Sequence, residues 1–351
     1  MSVTQEAFGK SRDGRDIILY TITNSKGMKA QVTNLGAILV QLWVPDASGK
    51  AEDIVLGFDT ADEYYGNPSF FGATIGPSAN RIGDASYEID GICYEVDDND
   101  DGNNLHSHFE LGYHKRIWDA ETTENSVIFS IYDPATLGFP GVKEITLTYS
   151  LTENNELKLH YYGTADQATI INLTNHTYFN LDGHDSGSIM DHEIKLNCAK
   201  YTPTVPGSIP TGEIADVAGT PMDLTNLIKV GEHIDDEYDQ LVMAKGYDHN
   251  FCIDGYDGKG TLKETATVKG PKSGRVMKVY TDLPGVQFYA GNCIKTQTGK
   301  NGCTYKKRSG LCLETQYYPD TINHDNFPSC IFGGEDENAR IYDTVTVYAF
   351  E

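Results

Sequence analysis

Apolar and polar positions alternate along most of the chain with a period of two rather than 3.6, the pattern of half-buried strands. Ile38, Val40, Leu42 and Val44 share one face of a predicted strand, and Ile341, Val345, Val347 and Ala349 outline the last one. Further strands are expected over Ile17–Thr23, Val127–Tyr132, Glu144–Leu151, Glu156–Tyr162, Val276–Thr281 and Val286–Tyr289. In SYEIDGICYEV the pair Asp90–Gly91 separates two short β-like runs. It predicts a two-residue hairpin turn, because both residues tolerate positive φ. Helix is sparse, with Thr60–Tyr65 a short candidate. No fixed-period repeat, low-complexity segment or linker-like shift divides the chain, so residues 1–351 read as one all-β domain, a large antiparallel β-sandwich with few short helices.

Composition supports a folded protein: 39% hydrophobic residues supply a sizeable core, and 35 Gly with 13 Pro favour turns over long helices. The net charge of −24 repels phosphate backbones and anionic bilayers, so neither nucleic acid nor membrane is an expected partner. The first residues, MSVTQEAFGKSRDGRD, lack the basic start and apolar core of a secretory signal, and no apolar run approaches the roughly 20 residues that span a bilayer. A cytoplasmic location is expected. Seven cysteines, odd in number and never spaced C-x-x-C, fit reduced and mostly buried thiols better than a disulfide frame or a zinc site. Asn172 and Asn175 fall in N-x-T sequons, which in a cytosolic chain are better explained by strand or site structure than by glycosylation.

Chemistry concentrates in a few polar, aromatic segments. NLTNHTYFNLDG places His176 among amides, a phenol and turn residues. An imidazole with an unperturbed pKa of about 6.5 suits acid–base work near neutral pH. Its candidate partner is Glu314, a carboxylate inside the strand-like run SGLCLETQYYPD. GPSANRIG carries Asn80 and Arg81, and an arginine's planar fork orients hydroxyls or a carboxylate. DGNNLHSHFELGYHKRIW holds Asn104, His106 and His108 on the approach to Trp118. The His-x-His pair lacks a third ligand at the usual metal spacing, so no metal is expected. YDHNF adds Asp248 and His249, and TDLPGVQFYAGN adds Gln287, whose buried amide needs partners from protein or ligand. Aromatic faces beside amides and carboxylates suit a pyranose ring. No P-loop, dinucleotide fingerprint, nucleophile elbow or H-E-x-x-H is present, which leaves acid–base chemistry without a bound cofactor.

The ordered set TNLGA, GPSANRIG, NNLH, NLTNHTYFNLDG, YDHNF, PGVQFYAGN, LETQYYPD and INHDNFPS resembles the aldose 1-epimerases over nearly the whole chain, most closely their galactose mutarotase branch. The resemblance implies a galactose mutarotase-like supersandwich that interconverts the α and β anomers of free aldohexoses without metal or nucleotide. By the same likeness Glu314 is the general base and His176 the general acid. Arg81, His106 and Asp248 hold the sugar hydroxyls, with Asn80, Tyr178 and Gln287 beside them. The chain departs from its relatives at Pro77–Ser78 and at Ser107–His108, which are expected at the pocket rim.

In the mechanism this implies, Glu314 takes the proton of the C1 hydroxyl while protonated His176 gives one to the ring oxygen. Glu314 must then be ionised or only modestly raised in pKa, and His176 charged until it acts. Rival functions are a glycoside hydrolase using Glu314 and Asp248, and a sugar-binding module without turnover. Anomerisation of sugar phosphates would want a cationic cluster, for which Arg81, Lys115 and Arg116 are too few in so acidic a chain. Oligomeric state and the preferred aldose are left open.

Overall fold

The computed structural model describes residues 1–334 and 340–351. Its largest element is a nine-stranded antiparallel sheet. The spatial order is Asp119–Thr122, Ser126–Pro134, Val142–Leu151, Glu156–Ala165, Tyr342–Phe350, Val276–Thr281, Lys263–Lys269, Glu193–Leu196 and Ile228–Lys229. A five-stranded sheet packs against it, ordered Ala215–Asp216, Lys200–Tyr201, Asp248–Cys252, Gly285–Tyr289 and Cys312–Gln316. The Tyr348 hydroxyl donates to Leu313 O across the interface at 3.3 Å. The N-terminal strands, from Ser2–Lys10 to Ala51–Asp53, form another five-stranded sheet. The architecture is a β-sandwich.

Local sequence accounts for most of these elements. Val276–Thr281 matches its expected bounds, and the other expected interior strands run one to three residues longer at an end. At the hairpin, Ile89 pairs with Ile92, and Asp90 and Gly91 take φ of 52° and 78°, as a two-residue turn requires. The short helix spans Ala61–Tyr65, its first turn closed by the Thr60 amide donating to Glu63 Oε2 at 3.0 Å. A second short helix, Asp239–Ala244, had no periodic signal long enough to announce it.

Two expected faces are corrected. In the last strand Tyr342, Thr344, Thr346, Tyr348 and Phe350 point inward, while Ile341 precedes the strand and is half exposed. Aromatic rings bury more apolar area than Val or Ala, so the face that carries them wins the core. In Ile38–Pro45, Gln41 pairs with Gln31 and Leu39 with Val32, which leaves Val40 as a bulge. The bulge sends Ile38 and Val40 into the cluster that holds Tyr178 and Cys312, while Leu42 and Val44 join the main core.

That main core fixes which side of the smaller sheet faces the ligand. Leu147, Tyr149, Leu159, Tyr161 and Tyr348 of the large sheet share it with Phe251, Val286, Phe288 and Leu313 of the smaller one. Each such burial contributes about 1.5–3 kcal/mol. The intervening residues Asp248, Asn250, Gln287, Tyr289, Glu314 and Gln316 therefore project together from the opposite face. All seven cysteines are free and four are buried. Among the described residues no helix is long and apolar enough to cross a membrane.

Candidate active site

The opposite face of the smaller sheet forms the floor of a cleft of about 270 Å³. Glu314, His176, Arg81, His106, Asp248, Asn80, Tyr178 and Gln287 all line it, drawn together from positions 80 to 314 of the chain. Phe70, Asp100, Leu105, Tyr289 and Cys293 are additional lining residues. In the antiparallel register Glu314 lies opposite Gln287, which lies opposite Asn250, and the next row is Cys312, Tyr289 and Asp248. The third row is Gln316, Gly285 and Cys252, and a Cβ at Gly285 would sit 2.4 Å from Asn250 Oδ1 and 2.8 Å from the Tyr318 ring. Only glycine lets the strands close at that point.

The floor is held by a chain of amides. Asn80 Nδ2 donates to Gln316 Oε1 at 3.3 Å, Gln316 Nε2 to Gln287 Oε1 at 3.3 Å, and Gln287 Nε2 to Asp248 Oδ1 at 2.7 Å. Asn80 is thus engaged at both ends of its amide, since its Oδ1 accepts from Arg81 N at 3.0 Å. Gln316 lies two residues from Glu314 on the same strand face, as a period of two places it.

Opposite the floor, three lining residues other than glycine adopt left-handed backbone: Phe70, Asn80 and His106, with φ of 56°, 60° and 56°. This costs about 1–2 kcal/mol per residue for ordinary side chains. Two of them brace one another. His106 N donates to Asn80 O at 3.0 Å, and Asn80 N donates to His106 Nδ1 at 3.1 Å. The second bond occupies the Nδ1 lone pair, so neutral His106 carries its proton on Nε2.

His176 ends the strand Thr174–His176, which pairs with Ala73–Ile75. Its Nε2 stands 3.7 Å from Glu314 Oε1, and its Nδ1 3.6 Å from the Cys312 thiol. Aromatic rings fix its plane: Tyr178 lies 5.1 Å and Phe70 5.8 Å from it, centroid to centroid. Neither carboxylate oxygen of Glu314 makes a hydrogen bond among the described residues; Oε2 is fully buried, and Oε1 is the oxygen that faces His176.

Burial sets the proton affinities. It pushes Glu314 well above the usual carboxylate range, reinforced by Asp248 and opposed by Arg81. It raises Asp248 too, against Arg81 and the Gln287 hydrogen bond. It lowers His176 to about 4 and drives His106 well below its ordinary value, with the neighbouring His176 and Arg81 adding to the effect. Burial thus favours the uncharged form of each group in the free cleft, against the expectation of an ionised Glu314 facing a charged His176. Desolvation penalises each charge more than their mutual attraction repays.

Donor atoms of His106, His176 and Glu314 lie within 4.8 Å of one another, a set that invites comparison with a metal centre. The fit is poor. A metal-bound imidazole donates its other ring N–H to a carbonyl or carboxylate, whereas His106 Nδ1 accepts from a backbone amide.

Other candidates lie elsewhere. Asn104 is fully buried and clamps its own loop by donating to Asp97 O and Ser107 O, each at 2.7 Å. His108 faces Asp97 at 4.0 Å outside the cleft, and Trp118 is a core residue. His249 projects to the core side of its strand. The rim assignment for Pro77–Ser78 and Ser107–His108 is also corrected, because none of them lines the cleft. Ser107 Oγ accepts from Ser78 N and donates to Ser78 O, both at 2.9 Å, a buried clip between the two loops. The sequon asparagines are structural: Asn172 clamps the Tyr317 backbone through both amide atoms, and Asn175 Nδ2 reaches Gly72 O and the Tyr149 hydroxyl.

Comparison with known proteins agrees with this geometry. The aldose 1-epimerase family model matches residues 19–341. Human galactose mutarotase is 39% identical over 99% of this chain and 98% of its own length. Aldose 1-epimerase of Escherichia coli K12 is 33% identical over 96% of each chain. Among solved structures, an aldose epimerase homologue from C. elegans superposes with a TM-score of 0.86 at 28% identity, covering 95% of this chain and 98% of that one.

Proposed function

This chain belongs to the aldose 1-epimerase family, and we propose that Glu314 and His176 carry the proton transfers by which it interconverts the α and β anomers of free aldohexoses such as galactose and glucose. The activity is that of an isomerase. The observation that carries the residue assignment is the 3.7 Å approach of His176 Nε2 to Glu314 Oε1 on the cleft floor, with neither carboxylate oxygen taken up by a hydrogen bond among the described residues.

The pair holds one proton in either of two arrangements. Neutral Glu314 with neutral His176 contains as many protons as carboxylate with imidazolium. A bound sugar, donating hydroxyls to the carboxylate beside Arg81, favours the charged arrangement. From there Glu314 takes the O1 proton as His176 gives one to O5, and the ring C1–O5 bond breaks to leave an aldehyde. Both groups are then neutral, the state that burial favours. The cleft thereby stabilises the open-chain form. After rotation about C1–C2, Glu314 returns a proton to O1, His176 removes one from O5–H, and the ring closes on the other face. Each positioned transfer contributes about 10²–10⁴ in rate.

His106 donates from Nε2, and Arg81 and Asp248 hold hydroxyls. We read residues 1–351 as one catalytic domain, which is supported by the last strand lying inside the nine-stranded sheet. A cytosolic location and a monosaccharide substrate complete the proposal. Among the described residues Arg81 is the one Lys or Arg along the cleft, and Lys115 and Arg116 line a separate depression, so phosphorylated sugars are disfavoured. Glu314 and Asp248 rise from one face of one sheet rather than flanking a bond, which disfavours hydrolysis.

Polarimetry of freshly dissolved α-D-galactose and α-D-glucose tests the reading. Anomers that equilibrate no faster with protein than without it overturn it, and release of reducing sugar from an oligosaccharide supports the hydrolase instead.

A further inference from the structure

Arg81 spends one of its five guanidinium N–H donors on the protein: Nε donates to Asp100 Oδ2 at 2.8 Å. Among the described residues its two terminal amino groups make no hydrogen bond to protein, and the side chain borders the cleft. Asp100 stands on a loop tied to the same short ladder as Arg81. Arg81 pairs with Leu105, whose amide donates to Asn99 Oδ1 at 2.7 Å and whose carbonyl accepts from Asn99 Nδ2 at 3.1 Å. Asp100 N donates to Asn103 O, and Asn103 N to Asp100 O, at 3.0 and 3.1 Å. Carboxylate and guanidinium are thus held on one frame, with side-chain exposures of 30% and 15%.

Two other carboxyl groups, Asp248 and Glu314, lie within reach of the Arg81 field. A long side chain with four rotatable torsions and no anchor would turn toward them and lose its aim at the ligand. We propose that Asp100 is the positioning residue for Arg81: by holding Nε it presents the two terminal amino groups to the sugar hydroxyls. The inference rests on the proposed function. The acidic run DDNDDG that contains Asp100 otherwise reads as solvated surface.

The test is a double-mutant cycle on the intact protein, with kcat and KM for α-D-galactose measured by polarimetry and melting temperature recorded for each variant. Asp100→Ala raises KM about tenfold, the order expected for losing a charge-assisted hydrogen bond, and lowers kcat by less. Asp100→Asn, which keeps an acceptor, recovers part of the loss. In an Arg81→Ala background Asp100→Ala adds nothing further, because the group it positions is gone. An unchanged KM in Asp100→Ala overturns the proposal. So does a tenfold effect that persists without Arg81, which would make Asp100 a direct sugar ligand. If Asp100→Ala does not fold, Asp100→Asn in the same cycle decides by the same criterion. A wild-type protein that leaves the anomers at their spontaneous rate refutes the proposed function instead.

Discussion

His176 Nε2 and Glu314 Oε1 are 3.7 Å apart on two neighbouring strands, each side chain less than a tenth exposed, and burial drives both toward their uncharged forms. Their separation in sequence is 138 residues, the difference between positions 314 and 176.

Removing either member should abolish most mutarotation. Glu314→Gln and His176→Asn are each expected to lower kcat by about 10²–10⁴, the range of one positioned proton transfer. A variant that equilibrates α-D-galactose as fast as the parent removes that residue from the mechanism.

Glu314→Gln should also stabilise the fold. The folded-state pKa of Glu314 lies above its unfolded value, so ionising it at pH 8 costs stability that an amide does not cost. The expected gain is on the order of 1–2 kcal/mol at pH 8, shrinking toward pH 4, where the carboxyl is protonated in both states. Thermal melts of parent and variant at the two pH values give the comparison, and equal melting temperatures at pH 8 contradict it.

Acidification should destabilise the protein between pH 6.5 and about 4. His176, His192 and His249 are held at about 4, His114 at about 3, and His106 well below its ordinary value, all by burial. Their folded pKa values are below the unfolded one, so the unfolded chain binds more protons in this window. Their stabilising contribution is complete above the unfolded pKa and is lost as pH falls, at up to about 1.4 kcal/mol per pH unit for each histidine. The raised Asp248, Asp282, Glu314 and Asp320 work in the other direction but are fewer. A melting temperature that holds or rises from pH 7 to pH 5 excludes this.

Chelation should leave the rate untouched. With Nδ1 of His106 accepting from Asn80 N, its Nε2 presents a proton rather than a lone pair to the cleft. Mutarotation in excess EDTA should match that in buffer, and a loss restored by zinc would overturn the tautomer assignment.

Of the eight side chains gathered in the cleft, His176 and Glu314 stood out from their local settings, whereas Arg81, His106, Asp248, Asn80, Tyr178 and Gln287 took their roles only from the ordered series of motifs. Missed residues had weaker signals. Tyr289 follows from a period of two once Gln287 is placed. Phe70 and Asp100 had none: a phenylalanine between two loops looks like core, and an aspartate in an acidic run looks like surface. The rim assignment for Ser107 failed because hydrogen bonding of its hydroxyl to Ser78 is a contact between loops 29 residues apart.

By itself the sequence determined the expected interior strands, the Asp90–Gly91 turn and the sandwich class, because these rest on local periodicity, and it singled out His176 and Glu314 as candidate proton carriers by their residue chemistry. Tertiary structure decided which face of each strand is buried, since that depends on what the opposing sheet offers, as the aromatic face of Tyr342–Phe350 and the bulge at Val40 show. It also set the direction in which the proton affinities of the pair move. A pKa is set by the water a folded neighbourhood excludes, and no single residue carries that information.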